Sequence, residues 1–142
     1  IQIAAMINTI AAGGIWREPL FLEGTLDETT GESLTALAHR GARRVFSAQT
    51  ARALRELLAS VVTEGTGHEA APTEGTAAGK TGTAQTGQFR DGEELKNYWF
   101  AGFYPAEKPR WTIVVMQDAQ TEPEVSSAAV FARLCDALSA GE

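Results

Sequence analysis

Two apolar segments, close together in the second half of the chain, constrain its fold more than any other feature. Residues 97–104 include the run from Tyr98 to Phe103, and residues 110–117 include the run from Trp111 to Met116. Both runs are rich in aromatic and β-branched residues and are apolar nearly throughout, without polar alternation. Such segments are typical of strands covered on both faces. The short link Pro105–Pro109 predicts that they pair as antiparallel neighbours.

A third segment with strand character, residues 77–85, precedes these two. It contains the sequence Ala78-Gly79-Lys80-Thr81-Gly82-Thr83-Ala84-Gln85. The connection 86–96 is polar and long enough for an antiparallel return. We therefore predict three strands that pair antiparallel in sequence order, with residues 77–85 at an edge of the sheet.

Three helices are predicted around this sheet. Residues 1–12 place isoleucines at helical spacing, and Gly13-Gly14 ends that pattern. Ser47 is a candidate N-cap for an amphipathic helix that ends at Gly65–Gly67. The apolar stripe of this second helix consists of Ala51, Leu54, Leu58, Val61 and Val62.

The last helix is predicted from a capping box, Thr121–Glu124, which also places a proline in the first turn. We expect this helix from about residue 122 to 140, and its inward side chains are predicted to be Phe131, Leu134, Cys135 and Leu138. Residues 15–46 are mixed. Pro19–Leu22 could be a short extended piece, and for the polar, glycine-containing segment from Thr25 to Arg44 we expect a loop that could include a short helix. The predicted fold class is α/β (α+β), an antiparallel sheet flanked by helices.

Composition and charge exclude several functional classes. The 142 residues suit one domain or a piece of one, and a net charge of −6 argues against a nucleic-acid partner. Arg40, Arg43 and Arg44 have no aromatic residues interleaved with them, so we expect a solvated loop there. Cys135 is the single cysteine and gives neither a disulfide framework nor a metal-ligand set. We predict no metal and no cofactor, and no apolar stretch approaches the roughly 20 residues that span a bilayer.

The Gly79-Lys80-Thr81 sequence has two alternative explanations that must be weighed. A phosphate-binding loop requires glycine at position 74, where this chain has Glu74, and requires a helix after Thr81, where the sequence is β-prone. The phosphate loop is therefore excluded. The other alternative, a lysine that merely protects an exposed sheet edge, stays open on these residues alone.

The wider sequence resembles the transpeptidase domain of penicillin-binding proteins, and the class B (monofunctional) branch in particular. In those enzymes a Lys-Thr-Gly strand accompanies Ser-x-x-Lys and Ser-Asp-Asn motifs. The similar segments are residues 1–5 and 10–14, 61–67, 78–85, 99–105 and 111–115, in the family's order. They cover nearly the whole chain apart from about 15–46. The resemblance implies a partial serine β-lactamase/transpeptidase-like fold.

The same resemblance implies roles for five residues. Lys80 would hold the substrate carboxylate and favour proton transfer, and Thr81 would add a hydroxyl donor for that carboxylate. Thr83 would contribute its backbone N–H to an oxyanion hole. Gly82 would let a ligand backbone lie against the strand, and Gln85 would either line the mouth of the cleft or only end the strand. Because strand alternation sends Lys80 and Thr81 to opposite faces, both can serve one site only at a sheet edge.

The motif that supplies the nucleophile does not occur in this sequence. None of its six serines is followed three residues later by lysine, and neither Asn8 nor Asn97 has a serine two places before it. We therefore expect a piece of a longer protein, in which residues 1–142 form the C-terminal portion of a transpeptidase domain. The expected partners are the D-Ala-D-Ala stem peptide of peptidoglycan, β-lactams and the missing N-terminal part, at the extracytoplasmic side of the bacterial membrane. Self-association of the isolated piece is also expected.

Two other functions remain open at this point. A β-lactam sensor domain would use the same acylation chemistry for signalling, and a transmembrane signalling segment outside this chain would distinguish it. A non-catalytic binding domain could keep the same sheet. His39 is expected to be solvent-exposed in a polar loop, and His68 in a flexible turn. Trp99 and Trp111 are expected to belong to the core.

Overall fold

The computed structural model describes residues 1–22, 24–36 and 41–141. Helices at both ends of the chain and one in its middle surround a sheet formed by the second half. The elements are, in chain order, α1 (Gln2–Ala11), β1 (Ile15–Arg17), β2 (Gly24–Leu26), β3 (Ser33–Ala36), β4 (Ala42–Arg44), α2 (Ala48–Thr63), a 3₁₀ turn (His68–Ala70), β5 (Ala78–Arg90), β6 (Glu93–Tyr104), β7 (Trp111–Gln120) and α3 (Ser127–Ala140).

The main sheet has the predicted topology. Its strand order is β5-β6-β7, and both pairs are antiparallel. Among the described residues β5 is therefore an edge strand, as the sequence predicts. The register sets Lys80 opposite Ala101 and Thr83 opposite Tyr98.

The hairpin between β5 and β6 is longer than predicted. Residues 86–96 are almost entirely strand, and the chain reverses at Asp91-Gly92, whose φ angles are +53° and +86°. Two consecutive positive φ angles are the requirement of the two-residue turn that matches strand twist, and Asp-Gly meets it at low cost. This end of the hairpin extends beyond Lys96, the residue nearest the turn at which β6 pairs with β7. Its strands are therefore polar although they pair with each other.

Both faces of the sheet are covered. On the α3 face, Phe100 and Tyr104 of β6 pack with Phe131 and Cys135 of α3. On the α1 face, the cluster contains Ala78, Ala101 and Phe103 with Ile7 of α1, and Ile3 and Ile10 pack against it. This arrangement confirms the prediction that the apolar segments are buried on both sides, and it explains why they do not alternate.

Helix α2 begins as predicted and lies against β5. The hydroxyl of Ser47 accepts a hydrogen bond from the Thr50 N–H at 3.0 Å, which is the N-cap contact. The guanidinium of Arg55 donates to the carbonyls of Ala106 and Glu107 at 2.9 and 2.7 Å. These two bonds join α2 to the link between β6 and β7. The predicted stripe is only partly covered, since Ala51 and Val62 are buried and Leu54, Leu58 and Val61 are half-buried.

Helix α3 begins later than predicted. Its N-cap is Ser126, whose hydroxyl accepts from the Ala129 N–H at 3.0 Å, whereas the capping box at Thr121–Glu124 lies outside the helix. The carbonyl of Thr121 is instead bound by the hydroxyl of Tyr98 at 2.6 Å. A tertiary contact thus outweighs the local capping signal.

The inward face of α3 differs from the prediction at one position. Phe131 and Cys135 are fully buried and Leu138 is half-buried, but the side chain of Leu134 is 43% exposed. Leu134 lies about 120° around the helix from Ala128, because each residue advances about 100°. The cluster with the sheet contains Ala128, Phe131 and Cys135 of α3, and Ala132 is also buried.

Residues 15–46 contain four short strands, and β2, β3 and β4 form where the segment from Thr25 to Arg44 is predicted to be a loop. No helix occurs in the described part of these residues. β1 pairs with β4 and β2 with β3, each antiparallel. The carboxylate of Asp27 accepts from the N–H groups of Thr29 and Thr30 at 2.8 Å each, which closes the β2–β3 turn and holds the pKa of Asp27 below its usual value. The expected extended piece at Pro19–Leu22 is not a strand.

The basic cluster belongs partly to this small structure. Arg43 in β4 lies over the ring of Trp16 at 5.5 Å from its centroid, and Arg44 donates to the Gly13 carbonyl at 2.9 Å. Both side chains are exposed, so the expected solvation is confirmed, although they lie on a strand. Arg40 and His39 lie outside the described residues.

The buried thiol of Cys135 gives a first prediction. Burial, with a smaller contribution from the charge of Asp136, raises the pKa of Cys135 to about 12, whereas a cysteine in an unfolded chain ionises near about 8.5. Because the thiolate is the reactive form, native protein should not react with iodoacetamide at pH 8.5, and protein in guanidinium chloride should react fully. Since only the unfolded thiol ionises there, stability should fall as the pH rises above about 8.5. Equal labelling rates in the two states would contradict this burial.

Candidate functional site

The Lys-Thr-Gly segment lies where β5 leaves the core. Ala78 and Gly79 are buried, Lys80 is exposed, and Thr81 and Gly82 are half-buried. Among the described residues only β6 pairs with this strand, so no second strand hydrogen-bonds to its other side along residues 80–85. An open edge offers backbone N–H and C=O groups to a ligand that binds in extended form.

Lys80 and Thr81 meet at this edge although strand alternation places them on opposite faces. The Lys80 Nζ donates to the Thr81 Oγ1 at 2.7 Å and to the Thr81 carbonyl at 3.2 Å. The lysine side chain thus reaches around the open edge, which a central strand would not allow. Lys80 forms no ion pair with any described carboxylate, so a full positive charge and a hydroxyl lie together without an anionic partner.

The turn after α2 reaches the same place. The hydroxyl of Thr66 lies 3.4 Å from the Thr81 hydroxyl, and the turn is fixed by a hydrogen bond from the Gly67 N–H to the Val61 carbonyl at 2.9 Å. Sequence reasoning found this glycine-rich turn but did not assign Thr66 to the site. The contact spans 15 residues, and no local pattern indicates it.

Two glycines of the segment are constrained in different ways. A Cβ on Gly79 would lie 2.5 Å from the Phe100 ring and 2.8 Å from the Ala101 carbonyl, so only glycine fits there. A Cβ on Gly82 would meet nothing closer than the Cβ of Trp99 at 3.5 Å, an ordinary contact. The fold therefore requires glycine at position 79 and does not require it at position 82.

Thr83 and Gln85 continue the edge outward. Thr83 is exposed and lies directly opposite Tyr98. The amide of Gln85 donates to the Glu94 carboxylate at 2.8 Å, a contact that joins the two strands of the hairpin. Both residues lie on the open strand with Lys80 and Thr81, so the structure brings the five predicted site residues onto one edge. Their roles in binding and catalysis stay predictions.

The other side chains considered from the sequence lie away from this edge or serve the fold. His68 is exposed, as predicted, but it begins the 3₁₀ turn instead of lying in an irregular segment. Trp111 stacks on Tyr104 with ring centroids 6.0 Å apart, and Trp99 is half-buried. Within the described ranges, no three His, Cys, Asp or Glu side chains come together in a way that could hold a metal ion. In the same ranges, no helix has the length and apolar character needed to cross a membrane.

Comparison with known proteins matches this architecture. The family described as penicillin binding protein transpeptidase domain matches residues 1–136. Penicillin-binding protein PbpB of Mycolicibacterium smegmatis is 37% identical over 133 residues, which cover 84% of this chain and 20% of that protein. The chain therefore spans about a fifth of this relative's length.

Solved structures show the same similarity. The D,D-transpeptidase domain of a peptidoglycan glycosyltransferase from Eggerthella lenta aligns with a TM-score of 0.78 and 29% identity, over 97% of this chain and 31% of that one. Penicillin-binding protein A from M. tuberculosis, solved as an imipenem acyl-enzyme complex, aligns with a TM-score of 0.75 and 25% identity, over 95% and 29% of the two chains. The helices and the antiparallel sheet thus have the β-lactamase-like arrangement of these domains, and the chain belongs to the penicillin-binding protein transpeptidase domain family.

Proposed function

We propose that this chain is the C-terminal portion of a D,D-transpeptidase that cross-links peptidoglycan stem peptides through an acyl-serine intermediate and also reacts with β-lactams. The observation that carries the proposal is the pairing of Lys80 Nζ with Thr81 Oγ1 at 2.7 Å on an open strand edge. The imipenem acyl-enzyme of the M. tuberculosis relative supports it. The acylated serine belongs to another part of the same protein, on the extracytoplasmic side of the bacterial membrane.

The first role of this edge is to hold the substrate carboxylate. The Lys80 ammonium and the Thr81 hydroxyl lie 2.7 Å apart, and Thr66 places a second hydroxyl 3.4 Å from that of Thr81. A carboxylate that binds there replaces the Thr81 oxygens as the acceptor for Lys80. Charge-assisted hydrogen bonds of this kind are about twice as strong as neutral ones. In the stem peptide the carboxylate is that of the terminal D-Ala, and in a β-lactam it is the ring carboxylate.

The second role is to stabilise the oxyanion. Thr83 lies two residues beyond Thr81 on the same strand, about 6.8 Å along it at the usual rise. The Thr83 N–H and the N–H of the serine in the other part of the protein would bind the oxygen of the tetrahedral intermediate. Preorganised donors of this type typically contribute about 10²–10³ in rate each. Acylation then releases the terminal D-Ala, and the amine of a neighbouring stem peptide takes the acyl group.

The third role is to admit the peptide backbone. A Cβ at position 82 would meet only the Cβ of Trp99, at 3.5 Å, so the fold does not require this glycine, and we assign its missing side chain to the passage of the ligand backbone. The stem peptide would bind as an added antiparallel strand along β5, with Gln85 at the outer end of the groove. If the isolated chain lacks its natural partner, the same open edge also offers a surface for self-association.

The absence of the nucleophile motif from this sequence gives a direct test. The isolated chain incubated with fluorescent penicillin should remain unlabelled in denaturing electrophoresis, because no Ser-x-x-Lys is present. The full-length protein should be labelled one to one under the same conditions. A covalent label on the isolated chain would contradict the assignment of the nucleophile to the other part.

The roles of Lys80 and Thr81 predict an order of severity in the full-length protein. Lys80→Ala should slow acylation by about ten- to a hundredfold, since a hydrogen bond to a charged group contributes about 1.5–3 kcal/mol. Thr81→Val should cost less, because it removes one hydroxyl and keeps the shape. Lys108→Ala, at an exposed lysine in the β6–β7 link, is the matched control and should stay at the wild-type rate. Acylation within about twofold of wild type for Lys80→Ala would restore the view that this lysine only protects a sheet edge.

The two glycines predict opposite results for stability and binding. Gly79→Ala should lower the free energy of unfolding by about 1–3 kcal/mol, because its Cβ overlaps Phe100 and the Ala101 carbonyl. Gly82→Val should leave the melting temperature nearly unchanged but should block acylation of the full-length protein. Thermal melts and penicillin labelling of both variants provide the measurement. A large loss of stability in Gly82→Val with normal labelling would show that position 82 serves the fold alone.

A further inference from the structure

Tyr98 is the cross-strand neighbour of Thr83 and has contacts that the roles above do not use. It is half-buried on β6, directly opposite Thr83 on one side and Gln117 of β7 on the other. Directly opposite residues on neighbouring strands have their side chains on the same face, about 4.5–5.5 Å apart at Cβ. Thr83, Tyr98 and Gln117 therefore form one row on the α3 face of the sheet.

Three hydrogen bonds fix this row to the start of α3. The Tyr98 hydroxyl donates to the Thr121 carbonyl at 2.6 Å, and the Ser127 hydroxyl donates to the Tyr98 carbonyl at 2.9 Å. The Gln117 amide donates to the Val125 carbonyl at 2.7 Å. Ser127 is 4% exposed, so the anchor on α3 is part of the buried structure. Both ends of the 121–126 link are thus bound to the row that contains Thr83.

The same link is joined to the turn that carries Thr66. Ser126, the N-cap of α3, donates to the carboxylate of Glu69 in the 3₁₀ turn. That turn begins two residues after Thr66, which contacts the Thr81 hydroxyl. Thr81 is therefore connected through Thr66 to the segment that carries the 3₁₀ turn, and Thr83 is connected through Tyr98 to the start of α3. The Ser126–Glu69 hydrogen bond joins these two regions.

We propose that Tyr98 is a positioning residue that holds Thr83 in place for oxyanion stabilisation. It does so through its own hydrogen bonds to Thr121 and Ser127, which fix the part of β6 that pairs with Thr83. This proposal rests on the proposed role of the Thr83 N–H. An edge strand has no second neighbour to fix its position, so its precision depends on the strand beside it. Tyr98 is that neighbour at Thr83, and its own position is set at the backbone by Ser127 and at the ring by Thr121.

Tyr104 provides a matched control on the same strand. It lies six residues further along β6, on the same face, and its hydroxyl donates to the Glu74 carbonyl at 2.9 Å. Tyr98→Phe and Tyr104→Phe thus remove the same group. The Tyr104 hydroxyl also bonds the Ser139 hydroxyl at 2.8 Å, so the control variant loses one hydrogen bond more than Tyr98→Phe. The two variants differ in their distance from Thr83, because Tyr104 pairs with Trp111 at the other end of the strand.

The test measures acylation of the full-length protein by benzylpenicillin. Tyr98→Phe should lower the acylation rate constant about three- to tenfold, the effect expected for one neutral hydrogen bond, with an unchanged dissociation constant of the initial complex. Tyr104→Phe should stay within about twofold of the wild-type rate even where its melting temperature falls more. Rates for Tyr98→Phe within twofold of wild type, or equal losses in both variants, would overturn the proposal.

Amide hydrogen exchange keeps this inference separate from the proposed function. In Tyr98→Phe the peptides that cover residues 81–85 should exchange faster than in Tyr104→Phe, and unchanged exchange there would overturn the positioning role. If the full-length wild-type protein does not react with benzylpenicillin, the proposed function fails. The exchange comparison then still decides whether Tyr98 fixes the strand.

Discussion

The open edge of β5 is the constraint on which the rest of this structure depends. An extended ligand can pair with the strand only if one side stays free, and a strand with a single neighbour needs that neighbour to be firmly held. The fold meets both needs by placing β6 on the other side and burying it on both faces. Gly79 lets the start of β5 lie directly against Phe100, so the strand is fixed at its base before it becomes exposed at Lys80.

The edge position also determines the electrostatics of the site. Lys80 and Thr81 point to opposite faces of the sheet, and only an edge lets the lysine side chain reach the neighbouring hydroxyl at 2.7 Å. No described carboxylate neutralises this ammonium, so its charge stays available to an anionic ligand. The ammonium and the hydroxyl lie together before any ligand binds, and such preorganisation reduces the entropic cost of binding.

The sequence predicts the main sheet, the edge position of residues 77–85 and the N-cap at Ser47, because each follows from a local pattern that tertiary contacts reinforce. The predicted start of α3 is wrong. The Thr121 carbonyl accepts a hydrogen bond from the Tyr98 hydroxyl, 23 residues away, and the helix is capped by Ser126 instead. The Asp91-Gly92 sequence is a typical turn signal for a two-residue hairpin. Residues 86–96 are nevertheless predicted to be a connection, because polar residues on both sides of this turn hide the strand pattern. Likewise, the β2–β3 turn closed by Asp27 was missed in a polar segment. Thr66 and Tyr98 join the site region through long-range contacts that no single-sequence pattern contains.

A crystal structure of the full-length protein acylated by a β-lactam would test the proposed role of the β5 edge most directly. We expect the carboxylate of the bound drug to lie within hydrogen-bonding distance, about 2.7–3.2 Å, of the Thr81 hydroxyl and beside the Lys80 ammonium. The acyl carbonyl oxygen should accept from the Thr83 N–H. A carboxylate bound away from β5, with Lys80 still directed at the Thr81 oxygens, would contradict this role.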